Sequence, residues 1–427
     1  MAGIFQRMNI KVRWHLVLSL MASITIAATG SPDAAPLSLA DAIDRAIAYA
    51  PSVSMAAADS DVSGARARET RAPLYPALSA GTEYYQAPGY NTTVTNRGLS
   101  AGMVALNYTM WDWGRREASY RAARYVSEAA QFGIAAARAQ IAYDASLSYY
   151  DLMHARASER ELTLNLQRLS RYVATVEALQ ASGRAISNDV LKIRSARDSA
   201  ELMLSAAHHQ TLMATAELGA MMGDFNASDI EIVPLTDIPA LPAGDIALSP
   251  AMQAATRAVS SAEQQVKEAR AERLPTFQVA LTTGALGIDP PNTVNHDWGA
   301  SYDGVISMPL FDGGAISSRI DRAKAKLNSA SAQYRQTNYL LERRLKDANI
   351  RYQEAIQALS ILARSQPTAD DAFALSWTRF LGGGGATILE VLDSYQQAEQ
   401  LRLEHLNHDL AAFQAIATTI LLYGRVQ

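Results

Sequence analysis

The sequence predicts a mostly helical α+β chain made of one module written twice, and three observations carry that prediction. Two stretches, Arg115–Gln180 and Ala315–Phe380, are poor in glycine and hold no proline before Pro367, as very long helices require. Short segments ahead of each alternate apolar and polar residues with period two, the pattern of strands. Landmarks also recur at one spacing: Met110, Trp111, Asp112 and Gly114 fall on Leu310, Phe311, Asp312 and Gly314 at an offset of 200. Downstream, Gly183-Arg184-Ala185 and Asp189-Val190-Leu191 match Gly384-Gly385-Ala386 and Glu390-Val391-Leu392 at an offset of 201. Upstream, Leu74-Tyr75-Pro76 matches Arg273-Leu274-Pro275. A period this long marks a duplicated module, since solenoid repeats run about 20–50 residues.

Residues 1–30 read as an export signal. Lys11 and Arg13 precede an apolar run, Trp14–Ile26, and small residues follow at Ala27, Ala28 and Gly30. Charge, apolar core and small residues in that order make a secretory signal peptide, with cleavage expected near Gly30. The run is shorter than the roughly 20 residues of a membrane helix; an uncleaved anchor is the alternative.

The first module spans 31–223, an inter-module segment 224–247, and the second module 248–427. Each opens with an alanine-rich helix, Leu37–Arg71 or Leu248–Arg273, stopped by Pro73 and Pro76 or by Pro275. Strands are expected at about 76–86 and 100–112, then 275–285 and 300–312. In one of them Val104, Leu106, Tyr108 and Met110 share a face, with Ala105, Asn107 and Thr109 opposite. An Asp-x-Gly step then leads into each long helix, a rod of roughly 100 Å at ~1.5 Å per residue. Along the second rod, Leu327, Ala330, Tyr334 and Leu341 form a heptad seam that restarts at Leu345, Ala348, Tyr352, Ala355, Leu359 and Leu362. That is a four-residue stutter, which alters the winding of packed helices locally. Pro367 is expected to kink the rod. Glycines at 183 and 382–385 reverse the chain into return helices, Ser187–Met222 and Ile388–Tyr423. The segment Asp224–Ile246, with Pro234, Pro239 and Pro242, reads either as a strap around the helices or as a plain linker.

Composition narrows the function classes. Among 427 residues, Lys+Arg 38 against Asp+Glu 42 leaves a formal net charge of −4, no electrostatic claim on nucleic acid. There is no cysteine, which excludes disulfides, zinc–thiolate sites, a cysteine nucleophile and an acylated cysteine at the N-terminus. His405 with His408, and His208 with His209, lack an evident third ligand for a metal. The glycine run is followed by no Lys-Ser/Thr, and neither Gly-x-Ser-x-Gly nor His-Glu-x-x-His occurs. No cofactor and no catalysis are expected.

Strands of about ten residues with one apolar face suit a membrane β-barrel. Tyr84, Tyr85, Trp111, Trp113, Trp298, Tyr302 and Phe311 stand near their ends, as in an interfacial girdle. An ordinary β-sandwich with an aromatic core is the alternative. Four strands cannot close a barrel, and an open edge in lipid leaves backbone groups unsatisfied. Two or three copies must share one cylinder, and three supply twelve strands.

The ordered set of signal peptide, Pro76 and Pro275, Asp112 and Gly114, Asp312 and Gly314, Gly183 with Val190-Leu191, and Gly384 with Val391-Leu392 resembles the TolC-like outer-membrane efflux protein family. The resemblance covers residues 37–425. It implies a homotrimer in the outer membrane of a Gram-negative bacterium, with a twelve-stranded barrel set in lipid and a periplasmic α-helical tunnel below it. It also implies a periplasmic adaptor protein and an inner-membrane pump as partners. The run Gly382–Gly385 departs from a single-glycine turn, and the missing cysteine places the chain with non-lipidated members. An outer component for heavy-metal cations is a variant of this reading; a soluble periplasmic coiled-coil scaffold is its rival from another class.

A passive duct works through its docking surfaces and constrictions. The resemblance puts the adaptor contact at the helix tips, where Gly183, Ala185, Ser187, Val190, Leu191, Gly384, Ala386, Ile388, Val391 and Leu392 are expected to be exposed. Helix capping and local packing explain the same residues equally. Glu390 and Asp393, three apart on one helix face, make a candidate carboxylate ring at the aperture with Arg379 as latch partner; a solvated helix face is the bland reading. Asp112, Gly114, Asp312 and Gly314 mark the strand-to-helix junctions.

Overall fold

A computed structural model describes residues 36–86, 98–288, 298–382 and 385–426. The expected export signal lies outside the described residues, as does Gly384. The two halves share one order of elements. The first holds α1 (Leu39–Tyr49), α2 (Pro51–Arg71), β1 (Ala77–Gln86), β2 (Gly98–Trp111), α3 (Arg115–Ala181) and α4 (Ser187–Met221). The second holds α5 (Pro250–Ala271), β3 (Thr276–Ile288), β4 (Trp298–Ser307), α6 (Ala315–Leu381) and α7 (Ile388–Tyr423).

The helix expected over Leu37–Arg71 is two helices. Ala50 is extended at ψ 116° and Pro51 opens α2, because the residue before proline is forced out of the helical region while proline itself fits a first helical position. Ser249 before Pro250 repeats this, its Oγ accepting the Met252 N–H at 3.3 Å. The helix expected from Leu248 therefore begins at Pro250. Pro367 sits inside α6 without interrupting it.

The strands make one antiparallel sheet in the order β1-β2-β3-β4. β2 and β3 join the two modules, pairing from Leu99 with Ile288 to Trp111 with Phe277 across a bulge after Thr109. The strand expected to reach residue 312 stops at Ser307, the partner of Thr276 at the start of β3. Pro309 has no N–H to offer a ladder, and residues 308–311 pair with no described strand of their own chain. The β-sandwich alternative is overturned: among the described residues no second sheet covers this one, and every residue of β1 and β4 is exposed. Leu78, Tyr302 and Ile306 stand in the open, as do all seven girdle aromatics.

The helices stack below. α3 packs with α2 and α5 near the sheet and with α4 and α7 farther away; α6 packs with α5 and then with α7. Ile316, Ile320 and Ala323 of α6 pack with Val266 and Ala269 of α5. Farther along, Ala348, Ala355, Leu362 and Ala369 are buried at every seventh position. The stutter falls between these two seams, where α6 changes partner.

The inter-module segment is seated on the helices. Leu37 N–H donates to Glu231 O at 2.7 Å and Val233 N–H to Leu37 O at 3.0 Å. The fully buried Tyr149 hydroxyl lies 2.6 Å from Val233 O and 3.1 Å from Leu37 O. Arg156 pairs with Asp229 at 2.5 Å, and the Tyr352 hydroxyl donates to Pro239 O at 3.0 Å.

Candidate functional site

Three places on the rods bear on function: the strand-to-helix junctions, a polar clasp between rods, and the tips. At each junction an aspartate caps the long helix. Asp112 Oδ1 accepts the Gly114 N–H at 3.2 Å and Oδ2 the Arg116 N–H at 3.0 Å. Asp312 Oδ1 accepts the Gly314 N–H at 2.9 Å and Oδ2 the Ile316 N–H at 2.5 Å. A carboxylate on free N–H groups at the positive end of a helix is doubly favourable. Burial alone would push the Asp112 carboxyl up, but the hydrogen bonds and charge of Arg116 prevail and hold it below its ordinary value. Backbone hydrogen bonds from Ile316 and Gly314 lower Asp312, despite some desolvation.

The clasp went unseen in the sequence. Arg168 of α3 pairs with Glu161 at 2.6 Å and with Glu399 of α7 at 2.8 Å. Arg402 pairs with Glu399 and reaches across to Asp370 of α6. The Tyr395 hydroxyl donates to Asn165 Oδ1 at 2.7 Å. Burial raises the Glu399 carboxyl against the pull of Arg168 and Arg402, and burial pushes Tyr395 up to about 12. Tyr172, Phe373 and Trp377 pack beside it. Its partners lie up to 231 positions apart, so no local pattern announces it.

At the tips the expectation of exposure fails for three residues. Val190, Ile388 and Val391 are buried in one cluster with Val173, Val176 and Ile193. They hold the two hairpins together, and the apolar residues that do face water are Ile186, Leu191 and Leu389. Leu392 and Ala185 pack partly against the same cluster; Ala386 is half-buried, while Ser187 is exposed. Gly183 takes φ 76° and donates to Gln180 O at 2.9 Å, a left-handed helix stop that suits glycine. Ser187 contributes its Oγ to a 2.9 Å bond from the Gln180 amide. Arg184 reaches Leu381 O, linking the two turns.

The proposed gate residues are not assembled within one chain. Glu390 is engaged in a capping box: Thr387 N–H donates to its carboxylate at 2.9 Å, and Thr387 Oγ1 accepts the Glu390 N–H at 3.3 Å. Arg379 and Asp393 are exposed, and among the described residues neither forms an ion pair. His405 leans on Asp409 at 3.2 Å and His208 on Glu159 at 2.8 Å. No described group of three side chains is arranged to hold a metal.

A sequence model of the outer membrane efflux protein family matches residues 42–224 and 245–425, one span per module. The chain belongs to that family. Its work is efflux and its place the outer membrane; no described helix is long and apolar enough to cross a membrane, and the uncovered sheet is the part suited to lipid. The chain is similar to the pyoverdine export outer membrane protein OpmQ of Pseudomonas aeruginosa, 24% identical over 382 residues, covering 81% of this chain and 77% of the relative. It is 23% identical over 394 residues to the probable efflux pump outer membrane protein TtgC of Pseudomonas putida, 85% of this chain and 79% of that one. Among solved structures, VceC of Vibrio cholerae superposes with a TM-score of 0.80 at 22% identity, covering 91% of this chain and 96% of VceC. The fold is that of these solved outer-membrane proteins, one antiparallel sheet continued by long helices.

Proposed function

We propose that three copies of this chain form the exit duct of a tripartite export system, fed by a periplasmic adaptor at the helix tips and driven by an inner-membrane pump. The observation that carries this reading is the sheet, whose outer strands β1 and β4 are exposed throughout and, among the described residues, unpaired along their outer edges. Such edges persist in lipid only when another chain pairs with them. The rods continue the cylinder into water. The duct does no chemistry of its own; the pump supplies the energy.

The adaptor surface comprises Gly183, Ser187 and Leu191 as expected, together with Ile186 and Leu389. Val190, Ile388 and Val391 set its shape from beneath. Replacing Leu191 and Leu389 by Asp is expected to abolish export while leaving detergent-stable trimers in the membrane fraction; export at the wild-type rate would remove the tips from the adaptor contact. Arg379 and Asp393 remain as candidates for a gate between subunits. Asp393→Ala is expected to lower cation preference in planar bilayers, and unchanged selectivity would reject that role.

A further inference from the structure

Two hollows on the helices turn out to be stretches of one trough. The upper one, 480 Å³, is lined by α2, α3, α5 and α6 together, as expected of a groove on the concave side of a curved row of helices. The lower one, 1010 Å³, lies among α3, α6 and α7. Ala122 of α3 lines the first and Gln140 the second; Lys326 and Arg344 of α6 do the same. Both pairs are eighteen residues apart, five whole helical turns at 3.6 residues per turn, so one face of each rod lines the trough throughout.

The inter-module segment lies on the other side. It rests on Leu406, Leu410 and Phe413 of α7, whereas His408, Ala411 and Ala415 face the trough. Positions 408 and 410, like 411 and 413, are two residues apart and so project about 200° apart. Arcs that close into a ring turn their concave sides inward. The trough is therefore the inner wall.

Its charge is uneven. Just under the sheet stand Arg66, Arg319, Arg322 and Lys326 against Glu268 and Glu272. Glu272 already serves Arg115 and Arg319, and among the described residues Arg66, Arg322 and Lys326 have no ion-pair partner. Farther down, Arg344 and Arg351 are balanced by Asp347 and Glu354. Threefold closure repeats the upper excess around the wall, and rings of Arg and Lys favour anions, the more so in a concave wall that focuses the field.

We propose that this upper zone is a cationic collar that favours cargo carrying several carboxylate or phosphate groups as it passes from the helical tunnel into the barrel. The inference rests on the duct reading. The cysteine-free chain allows a direct test with Ser119→Cys, a residue lining the collar. Purified trimers in nanodiscs are labelled with sulfonatoethyl methanethiosulfonate or its trimethylammonium counterpart, each rate being divided by that reagent's rate with a small free thiol. The expected result is a normalised rate several-fold higher for the anionic reagent. That preference should collapse in 1 M salt, where the screening length is about 3 Å, and in the background Arg322→Gln with Lys326→Gln. A preference at or below one, or one indifferent to the double substitution, overturns the collar. So does a preference that follows the anionic lipid content of the disc, which would place the patch on the outer wall against headgroups. A monomer on size exclusion before labelling would overturn the duct and the collar together, whereas a trimer without anion preference overturns the collar alone.

Discussion

The two strand-to-helix junctions descend from one design and have come to differ. At the first, Asp112 is buried and Arg116 ties four groups: the Asp112 carboxylate at 2.8 Å, Pro73 O at 2.7 Å, Thr109 O at 2.5 Å and the Tyr108 ring. Trp113 accepts a left-handed backbone at φ 57° and donates its indole N–H to Pro275 O at 2.9 Å. At the second, Asp312 is exposed and caps backbone only, Gly313 occupies the left-handed position, and Leu310 and Phe311 are 90% and 93% exposed. The first junction lies against β3 and the start of the second module. The equivalent neighbour of the second is the start of a first module, which a chain can meet only in another copy. Under the proposed threefold assembly, the bare junction is a subunit border.

The largest effect comes from building that border chemically. Trp111 pairs with Phe277 within the chain, and the repeat makes Phe311 and Leu78 their counterparts. Leu78→Cys combined with Phe311→Cys should give disulfide-linked trimers on oxidation, with neither single variant doing so; a double variant that stays monomeric on denaturing gels would break the equivalence. Next, Arg116→Ala strands the buried Asp112 and should cost about 3 kcal/mol in denaturant titration in micelles. Arg319→Ala at the looser junction, where the ion pair with Glu272 is half in water, should cost less than about 1 kcal/mol.

Acid separates the junctions more gently. A depressed carboxylate contributes stability above its unfolded value, about 3.9, and loses it as pH falls through the folded value. Stability of the wild type should therefore fall below about pH 4, and Asp112→Asn should flatten that limb more than Asp312→Asn does. Smallest is the backbone exchange. Gly313→Ala should cost about 1 kcal/mol. Trp113→Gly should be close to neutral, because relief of a similar strain offsets the lost bond to Pro275. A large loss for Trp113→Gly would show that the indole bond to Pro275, which crosses between the modules, outweighs the strain at Trp113.

Much of this architecture was readable from residue order. The long helices begin at Arg115 and Ala315 as their Asp-x-Gly steps indicate, and the stutter marks where α6 changes neighbour. The misreadings have local physical causes. Pro51 and Pro250 each open a helix, but proline suits both the first turn of a helix and the residues just past its end, and the alanine-rich pattern runs on through both. Residues 308–311 alternate like a strand yet lack a partner in the chain, and alternation reports faces without reporting pairing. Val190, Ile388 and Val391 looked like tip surface since a repeated Val-Leu beside a glycine turn suits both docking and packing. The Arg168–Glu399–Arg402–Asp370 clasp joins helices remote in sequence, which no window can reveal.

The handshake between Leu37 and the inter-module segment fastens the first half to the stretch that leads into the second. Tyr149 sits in the first half with its hydroxyl aimed at Leu37 O and Val233 O, and Val233 belongs to the second half's approach. A fragment ending at residue 223 would leave that phenol only its longer bond to Leu37 O and would strip Leu37 of both its backbone partners, Glu231 and Val233. A first half cut at residue 223 should therefore be less stable than one carried on to residue 247, however alike the two repeats look.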